Sequence, residues 1–127
     1  MKRFRKRNWR SDRGQVALEY IGFLPILLLV ALCGIQLGWA AYVVQQAETA
    51  ARTAARAEAR HPGTGAAAGR AAIKENLGKA AAIDIGRSAD AVTVTVQLPV
   101  RSIVPGVGNG STVKTVTMPN DPEVPKP

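Results

Sequence analysis

The most extended feature of the chain is an apolar segment that follows a short polar beginning. Residues 21–44 are almost all apolar, and only Gln36 and Tyr42 interrupt the run. As a helix rising about 1.5 Å per residue, this run would be roughly 36 Å long, which exceeds the hydrocarbon core of a bilayer, about 30 Å. The pattern therefore predicts a transmembrane helix over residues 15–44, with a bend at Pro25, where the ring removes one backbone donor.

Beyond this segment the apolar positions take a helical period, which predicts that the helix continues over residues 45–61. Small apolar side chains would share one side of it, namely Val43, Val44, Ala47, Ala50, Ala51, Ala54, Ala55 and Ala57. Glu58 falls on that same side and is a misfit, which we expect near a frayed helix end. On the opposite side, Arg52, Arg56 and Arg60 form a row that is either solvated or in contact with lipid headgroups or an acidic partner.

The chain after this helix carries shorter patterns. Pro62 and the glycines beside it predict a turn that ends the helix. A second helix is predicted over residues 66–82, because Ile73 and Leu77 lie one turn apart and would share a face. Two glycines inside this segment disfavour a helix there.

Strict alternation of apolar and polar residues then indicates β-structure. Residues 91–98 predict a strand whose valines and leucine face the core, and Pro99 predicts the edge or the end of that strand, which residues 100–104 would extend after a bend. Residues 111–118 predict its hairpin partner, and residues 119–127 predict an extended proline-rich tail. The fold class expected is α+β, with a small extracytoplasmic domain over residues 62–118 that holds the second short helix and a hairpin or small antiparallel sheet.

The positive charge of the chain is concentrated at its beginning. Of the formal net charge of +8, most comes from residues 1–14, which hold seven Lys/Arg residues against Asp12. Phe4 and Trp9 among these charges could stack on nucleic-acid bases. However, a basic flank directly before an apolar helix is typical of a cytoplasmic N-terminus, so we expect no nucleic-acid partner, and we expect the C-terminal domain outside the membrane.

No arrangement of side chains along the chain is typical of a catalytic or metal site. Cys33 lies in the apolar run, where a buried thiol is expected, and His61 is expected in the turn after the helix. Motifs for zinc hydrolysis, redox thiols, serine hydrolysis or phosphate binding are missing from the sequence. We therefore expect neither an enzyme nor a bound cofactor or metal.

Two features of the apolar helix concern packing and depth. Gly34 and Gly38 have the GxxxG spacing that lets another membrane helix approach closely, and Gln36 between them could hydrogen-bond across such a contact. Trp39 and Tyr42 are expected at the outer membrane interface, which amphipathic rings favour.

The junction between the basic beginning and the apolar helix resembles the processing site of type IV prepilins. Gly14 is followed five residues later by Glu19 and then by Tyr20, directly before the apolar helix. This unit, together with the Ala/Arg-rich continuation, is similar to the N-terminal region of TadE-like proteins over about residues 13–60. The resemblance implies that a prepilin peptidase cleaves after Gly14, so that Gln15 becomes the new N-terminus and Glu19 the fifth residue of the mature chain.

What the resemblance implies is a structural role. It suggests a minor pilin or pseudopilin of a Tad-type pilus or secretion system in a bacterial cytoplasmic membrane. Its partners would be membrane lipid, the peptidase, other pilin or pseudopilin subunits and the Tad machinery, and its place would be the membrane or a cell-surface pilus. In such a protein Glu19 would offset its cost in lipid by pairing with the N-terminal amine of a neighbouring subunit.

Two other interpretations of the same segment stay open. In one, the protein is secreted, residues 21–35 are the apolar core of a signal peptide, and residues 38–40 are its cleavage site. The apolar run continues past that site, which disfavours this alternative. In the other, an uncleaved anchor carries an extracytoplasmic binding module that has no part in a pilus.

Overall fold

A single helix forms the long axis of the molecule. The computed structural model describes residues 9–120, with side chains from Arg13 onward, and the residues before Trp9 and after Asn120 lie outside that description. Most of the predicted leader and tail therefore lies outside the described residues. Helix α1 spans Trp9–Arg60, 52 residues without interruption at Pro25. The predicted continuation of the apolar helix into an amphipathic one is confirmed, and it ends at the predicted turn before Pro62.

The prediction of one helix over residues 66–82 is wrong. Two short helices replace it, α2 at Gly65–Ala71 and α3 at Glu75–Ala80. Between them Lys74 takes an extended conformation, with φ −52° and ψ 138°, so that α3 folds back on the end of α2. Gly78 then lies so close to Arg70 that an added Cβ would be 2.7 Å from the Arg70 carbonyl oxygen. This reversal, rather than a shared helix face, buries both Ile73 and Leu77.

Three antiparallel strands follow in the order β1-β2-β3, with β1 at Ala82–Arg87, β2 at Ala91–Val100 and β3 at Gly110–Pro119. The predicted hairpin of β2 and β3 is confirmed. Strand β1 was not predicted, although its alternating Ile83 and Ile85 pack against the core. In the centre of the sheet, Val94 pairs with Ile85 on one side and with Val116 on the other.

The end of the central strand differs from the prediction. Pro99 lies inside β2, past Gln97, the last residue that pairs with β1, so at Pro99 the strand has only β3 as a neighbour. A missing backbone N–H is better tolerated there than between two strands. The expected extension over residues 100–104 is wrong beyond Val100, because residues 101–109 form a loop between β2 and β3.

The core lies between the C-terminal half of α1 and the inner face of the sheet. Residues of both layers are fully buried, namely Val43, Ala47, Ala50, Ala51, Ala54 and Ala55 of α1 with Val92, Val94, Val96 and Leu98 of β2. The predicted inward positions of β2 are thus confirmed. The absence of a side chain at Gly65 lets α2 approach the backbone of α1 closely, since an added Cβ there would lie 2.8 Å from the Ala54 carbonyl oxygen.

The N-terminal half of α1 has no such cover. Its large apolar side chains from Val16 to Leu37 are mostly exposed. The stretch of α1 at Arg13–Arg60 is long and apolar enough to cross a membrane by length and composition, and its most apolar window has none of its residues buried. By these measures α1 is suited to anchor the protein in a membrane. Beyond the exposed stretch, Trp39 and Tyr42 pack against the core, with ring centroids 5.6 Å apart, and their place at the outer membrane interface stays a prediction.

Candidate functional site: the exposed apolar helix and its attachment to the outer domain

The residues of the predicted processing site lie together near the start of α1. Gly14, Gln15, Glu19 and Tyr20 are all helical and all exposed. Within the part of the chain that the structure describes, Glu19 has no ion-pair partner. The structure therefore presents these groups unpaired with the rest of the described chain, and their roles in cleavage and assembly stay predictions.

The predicted packing glycines are also open. A Cβ built on Gly34 or on Gly38 would have no heavy atom within 4 Å, other than those of the neighbouring residues and the helix backbone. The face is thus accessible to another helix, and its use in packing stays a prediction.

Gln36 has a different partner from the one expected. Its Nε2 donates a hydrogen bond to the carbonyl oxygen of Arg101 at 3.1 Å, and its Oε1 accepts one from the backbone N–H of Ile103 at 2.8 Å. The side-chain amide thus bonds to the backbone at the start of the β2–β3 loop in the way that a neighbouring strand would. It attaches the outer domain to the helix at a point inside the apolar run. The expectation that Gln36 would bond across a helix–helix contact does not hold in this structure.

The β2–β3 loop, residues 101–109, has its own internal bonds. The Ser102 N–H donates to Oδ1 of Asn109 at 2.9 Å, which closes the base of the loop. At the tip, the Val107 N–H donates to the carbonyl oxygen of Val104 at 3.2 Å, and Gly106 has a φ of 82°, which glycine adopts readily. The loop is therefore closed at its base, turned at its tip and attached to α1 through Gln36.

Glu58 is a buried, hydrogen-bonded residue of the outer domain whose role the sequence interpretation missed. It is only 5% exposed, and its two carboxylate oxygens accept hydrogen bonds from the N–H groups of Gly63 and Gly65, both at 2.9 Å. Arg87 of β1 reaches the same carboxylate at 3.3 Å. The N–H of Gly63, above all, lowers the pKa of Glu58; burial acts in the opposite direction, and Gly65 and Arg87 lower it further.

The carboxylate of Glu58 thus joins the end of α1 to the following turn and to the sheet, and the predicted misfit at a frayed end is wrong. A signal for this was present in the sequence. An acid in the last turn of a helix is unfavourable with the helix dipole, so its position on the alanine side calls for a dedicated partner.

The row of arginines on α1 faces away from the core. Arg52 forms an ion pair with Glu48 one turn earlier, and Arg56 is exposed. Both line an open groove between α1 and β3, with Val116 and Met118 on its other side. The solvated alternative fits this arrangement, and such exposed pairs contribute little to stability.

No cluster of three or more His, Cys, Asp or Glu residues that could hold a metal ion occurs within residues 13–120, whose side chains the structure describes. Cys33 is exposed on the apolar part of α1, and His61 lies in the turn after that helix, where its carbonyl oxygen accepts from the Thr64 hydroxyl at 2.7 Å. The two side chains that could serve as nucleophile and base therefore belong to different parts of the molecule.

Comparison with known proteins gives one match. Neither the curated proteins nor the solved structures include a significant match to this chain. The model of the family described as TadE-like protein matches residues 14–56, which begin at the predicted cleavage residue and end within the last turns of α1. The segment of α1 that holds the exposed apolar helix and its alanine-rich continuation is thus TadE-like, as the resemblance indicated.

Proposed function

We propose that this chain is a minor pilin or pseudopilin of a Tad-type pilus or secretion system, with a structural role in assembly. The observation that carries the proposal is the TadE-like match, which starts at Gly14 and follows one helix from the predicted processing site into the outer domain. The structure of α1 supports the proposal, because its first half is apolar and exposed, while its second half packs against the sheet in the core of a small domain. Such a helix can stand in lipid, or among other helices, and still carry its domain outside.

Cleavage after Gly14 would leave a helix of suitable length. The hydrocarbon core cannot accept the β2–β3 loop, whose backbone groups are only partly bonded within the protein. We therefore end the span at Ile35, directly before Gln36, rather than at Val44. From Gln15 to Ile35 the helix rises about 30 Å, which equals the thickness of the hydrocarbon.

In this span Glu19 would lie about 6 Å inside the inner boundary of the hydrocarbon. A carboxylate there costs a few kcal/mol unless it is paired. The α-amine that cleavage creates at Gln15 of a neighbouring subunit is a suitable partner, because it is cationic, and a neighbouring helix displaced by about one turn, roughly 5.4 Å, would bring it to the depth of Glu19. The pairing would favour association of processed subunits over isolated ones.

The outer domain disfavours the secreted alternative. Cleavage after Ala40 would remove Gln36, which holds the β2–β3 loop, and Trp39, which packs against the core. A secreted product would therefore lack part of its own fold. The anchored binding module without a pilus role retains all these contacts and is the remaining alternative.

N-terminal sequencing of the membrane-bound protein tests the proposal. The full chain would be expressed with and without a prepilin peptidase, and we expect a start at Gln15 only when the peptidase is present. Gly14→Val should block processing, whereas Gly22→Val, at an equally open helical position, should not. An intact Met1 in the presence of an active peptidase would leave only the anchored module, and a start near Ala41 would favour secretion.

A further inference from the structure

We propose that the β2–β3 loop, residues 101–109, is a lipid-contacting element that lies on the outer leaflet, with Ile103 and Val107 inserted at the boundary between headgroups and acyl chains. It would act as a stop that fixes the depth of α1 in the membrane. The inference rests on the membrane span of the proposed function and adds a second point of contact with the bilayer.

The position of the loop along α1 is the first argument. The hydrogen bond that Gln36 donates to Arg101 and the one that it accepts from Ile103 hold these two residues beside the helix. The neighbours of Gln36 on the helix, Ile35 and Leu37, are 59% and 72% exposed, so the apolar surface extends to the level of the attachment. The loop therefore begins where lipid-facing helix surface ends.

The exposed side chains of the loop are the second argument. Among the described residues, only three large apolar side chains outside α1 are strongly exposed, and two of them, Ile103 at 47% and Val107 at 57%, are in this loop. The third, Val113 at 54%, stands on the strand β3. A pair of apolar side chains at the tip and base of one loop, beside a membrane helix, is suited to insert into the interface.

The charge of the loop and its unpaired backbone groups determine how deeply it can lie in the membrane. Arg101 is exposed at the start of the loop, and no acidic residue occurs in the sequence between Asp90 and Asp121, so the hairpin presents only positive formal charge to phosphate groups. The partly unbonded backbone of the loop excludes the hydrocarbon core but not the hydrated interface. Anionic lipid headgroups are therefore the partner that fits this surface.

The experiment measures depth with a fluorescent probe that responds to polarity. The full chain carrying Cys33→Ala would be labelled with NBD at Val107→Cys and placed in nanodiscs of phosphatidylglycerol and phosphatidylcholine. A quencher is attached to the lipid either near the headgroup or deep in the acyl chain. We expect the probe at 107 to emit at shorter wavelength than in water and to lose at least half its intensity to the shallow quencher, but little to the deep one.

Two control positions make the result decisive. A probe at Val113→Cys, equally exposed but on the sheet, should keep its intensity with both quenchers. A probe at Leu28→Cys should respond to the deep quencher, which reports the span itself. If position 28 responds and position 107 behaves like 113, the loop does not contact lipid and this inference is overturned while the span stands.

If position 28 does not respond to the deep quencher, the span fails and the inference fails with it. Nanodiscs with one protein each and with several proteins each separate lipid from a second copy of the chain. A probe at 107 that is shielded only in discs with several copies would assign the loop to a protein contact and would overturn the lipid assignment.

Discussion

Replacing Glu58 by alanine should lower the free energy of unfolding of the outer domain more than replacing any exposed residue of the same helix. The substitution removes the acceptor of two backbone N–H groups, each at 2.9 Å, and the partner of Arg87. A hydrogen bond to a charged group contributes about 1.5–3 kcal/mol, and a buried donor left without a partner costs about 1–3 kcal/mol. The N–H of Gly65 is buried, whereas Gly63 and Arg87 can recover water, so we expect a loss of about 3 kcal/mol in the free energy of unfolding.

The assay follows the fluorescence of Trp39, which packs against the core, because the helical signal of the membrane segment would persist after the domain unfolds. A chain cleaved after Gly14 would lack Trp9, so that Trp39 would be its only tryptophan. For a domain of this size 1 kcal/mol shifts the Tm by about 4–8 °C, so Glu58→Ala should lower it by about 12 °C or more.

Glu48→Ala is the matched control, since it breaks an exposed ion pair with Arg52 on the same helix and should cost about 0.3–0.5 kcal/mol. If the Tm of Glu58→Ala lay within about 3 °C of this control, the carboxylate would not hold the turn and the reasoning would be refuted.

Three further predictions concern other contacts. Hydrogen bonds and Arg87 lower the folded-state pKa of Glu58. The stability that the carboxylate contributes is therefore fully present above its ordinary pKa near 4.5 and is lost as pH falls through the lowered value. We expect the Tm to decline below pH 4.5, and to decline less in Glu58→Gln. Gly65→Ala should cost about 1–3 kcal/mol in a denaturant titration, and Gly34→Ala should cost nothing measurable. Gln36→Ala should speed tryptic cleavage after Arg101 in nanodiscs several-fold, unlike Gln45→Ala; unchanged cleavage would mean that Gln36 does not hold the loop.

Local periodicity was sufficient to predict the elements whose buried face follows directly from their own strand or helix repeat. The alternating apolar positions of β2 are buried because every second side chain of a strand faces one layer, and the alanine side of α1 is buried because its helical period presents one face. The break at Lys74 obeys no such rule. It depends on the close approach of Gly78 to Arg70, a tertiary contact that overrides the helical pattern of Ile73 and Leu77.

The polar groups were harder to predict than the apolar ones. Glu58 and Gln36 were each assigned from their neighbours in sequence, one as a frayed end and one as a helix–helix donor. Their partners lie elsewhere in the chain, since Glu58 meets Arg87 and Gln36 meets the loop at residues 101–103. A hydrophobic pattern states which side of an element is buried, but a buried polar group needs a particular partner, and that partner is defined only when the chain has folded.

In the proposed membrane span, the attachment at Gln36 also couples the position of the loop at the outer end to the depth of Glu19 near the inner end. A polar amide inside an apolar helix can satisfy its hydrogen bonds by joining another helix in lipid or by joining a loop at the surface, and only the second choice fixes depth. With residues 101–103 bound there, an inward slip of one helical turn, toward the cytoplasm, would bring Glu19 close to the inner boundary and release its charge to water. The same slip would draw the loop backbone into hydrocarbon. In the proposed membrane position, the loop would thus oppose the inward movement that an unpaired Glu19 favours, until a neighbouring subunit supplies a cation. If the proposed function holds, the outer domain and the predicted processing site would act together, because the loop would hold the Glu19 carboxylate at the depth where pairing with another subunit has its largest effect.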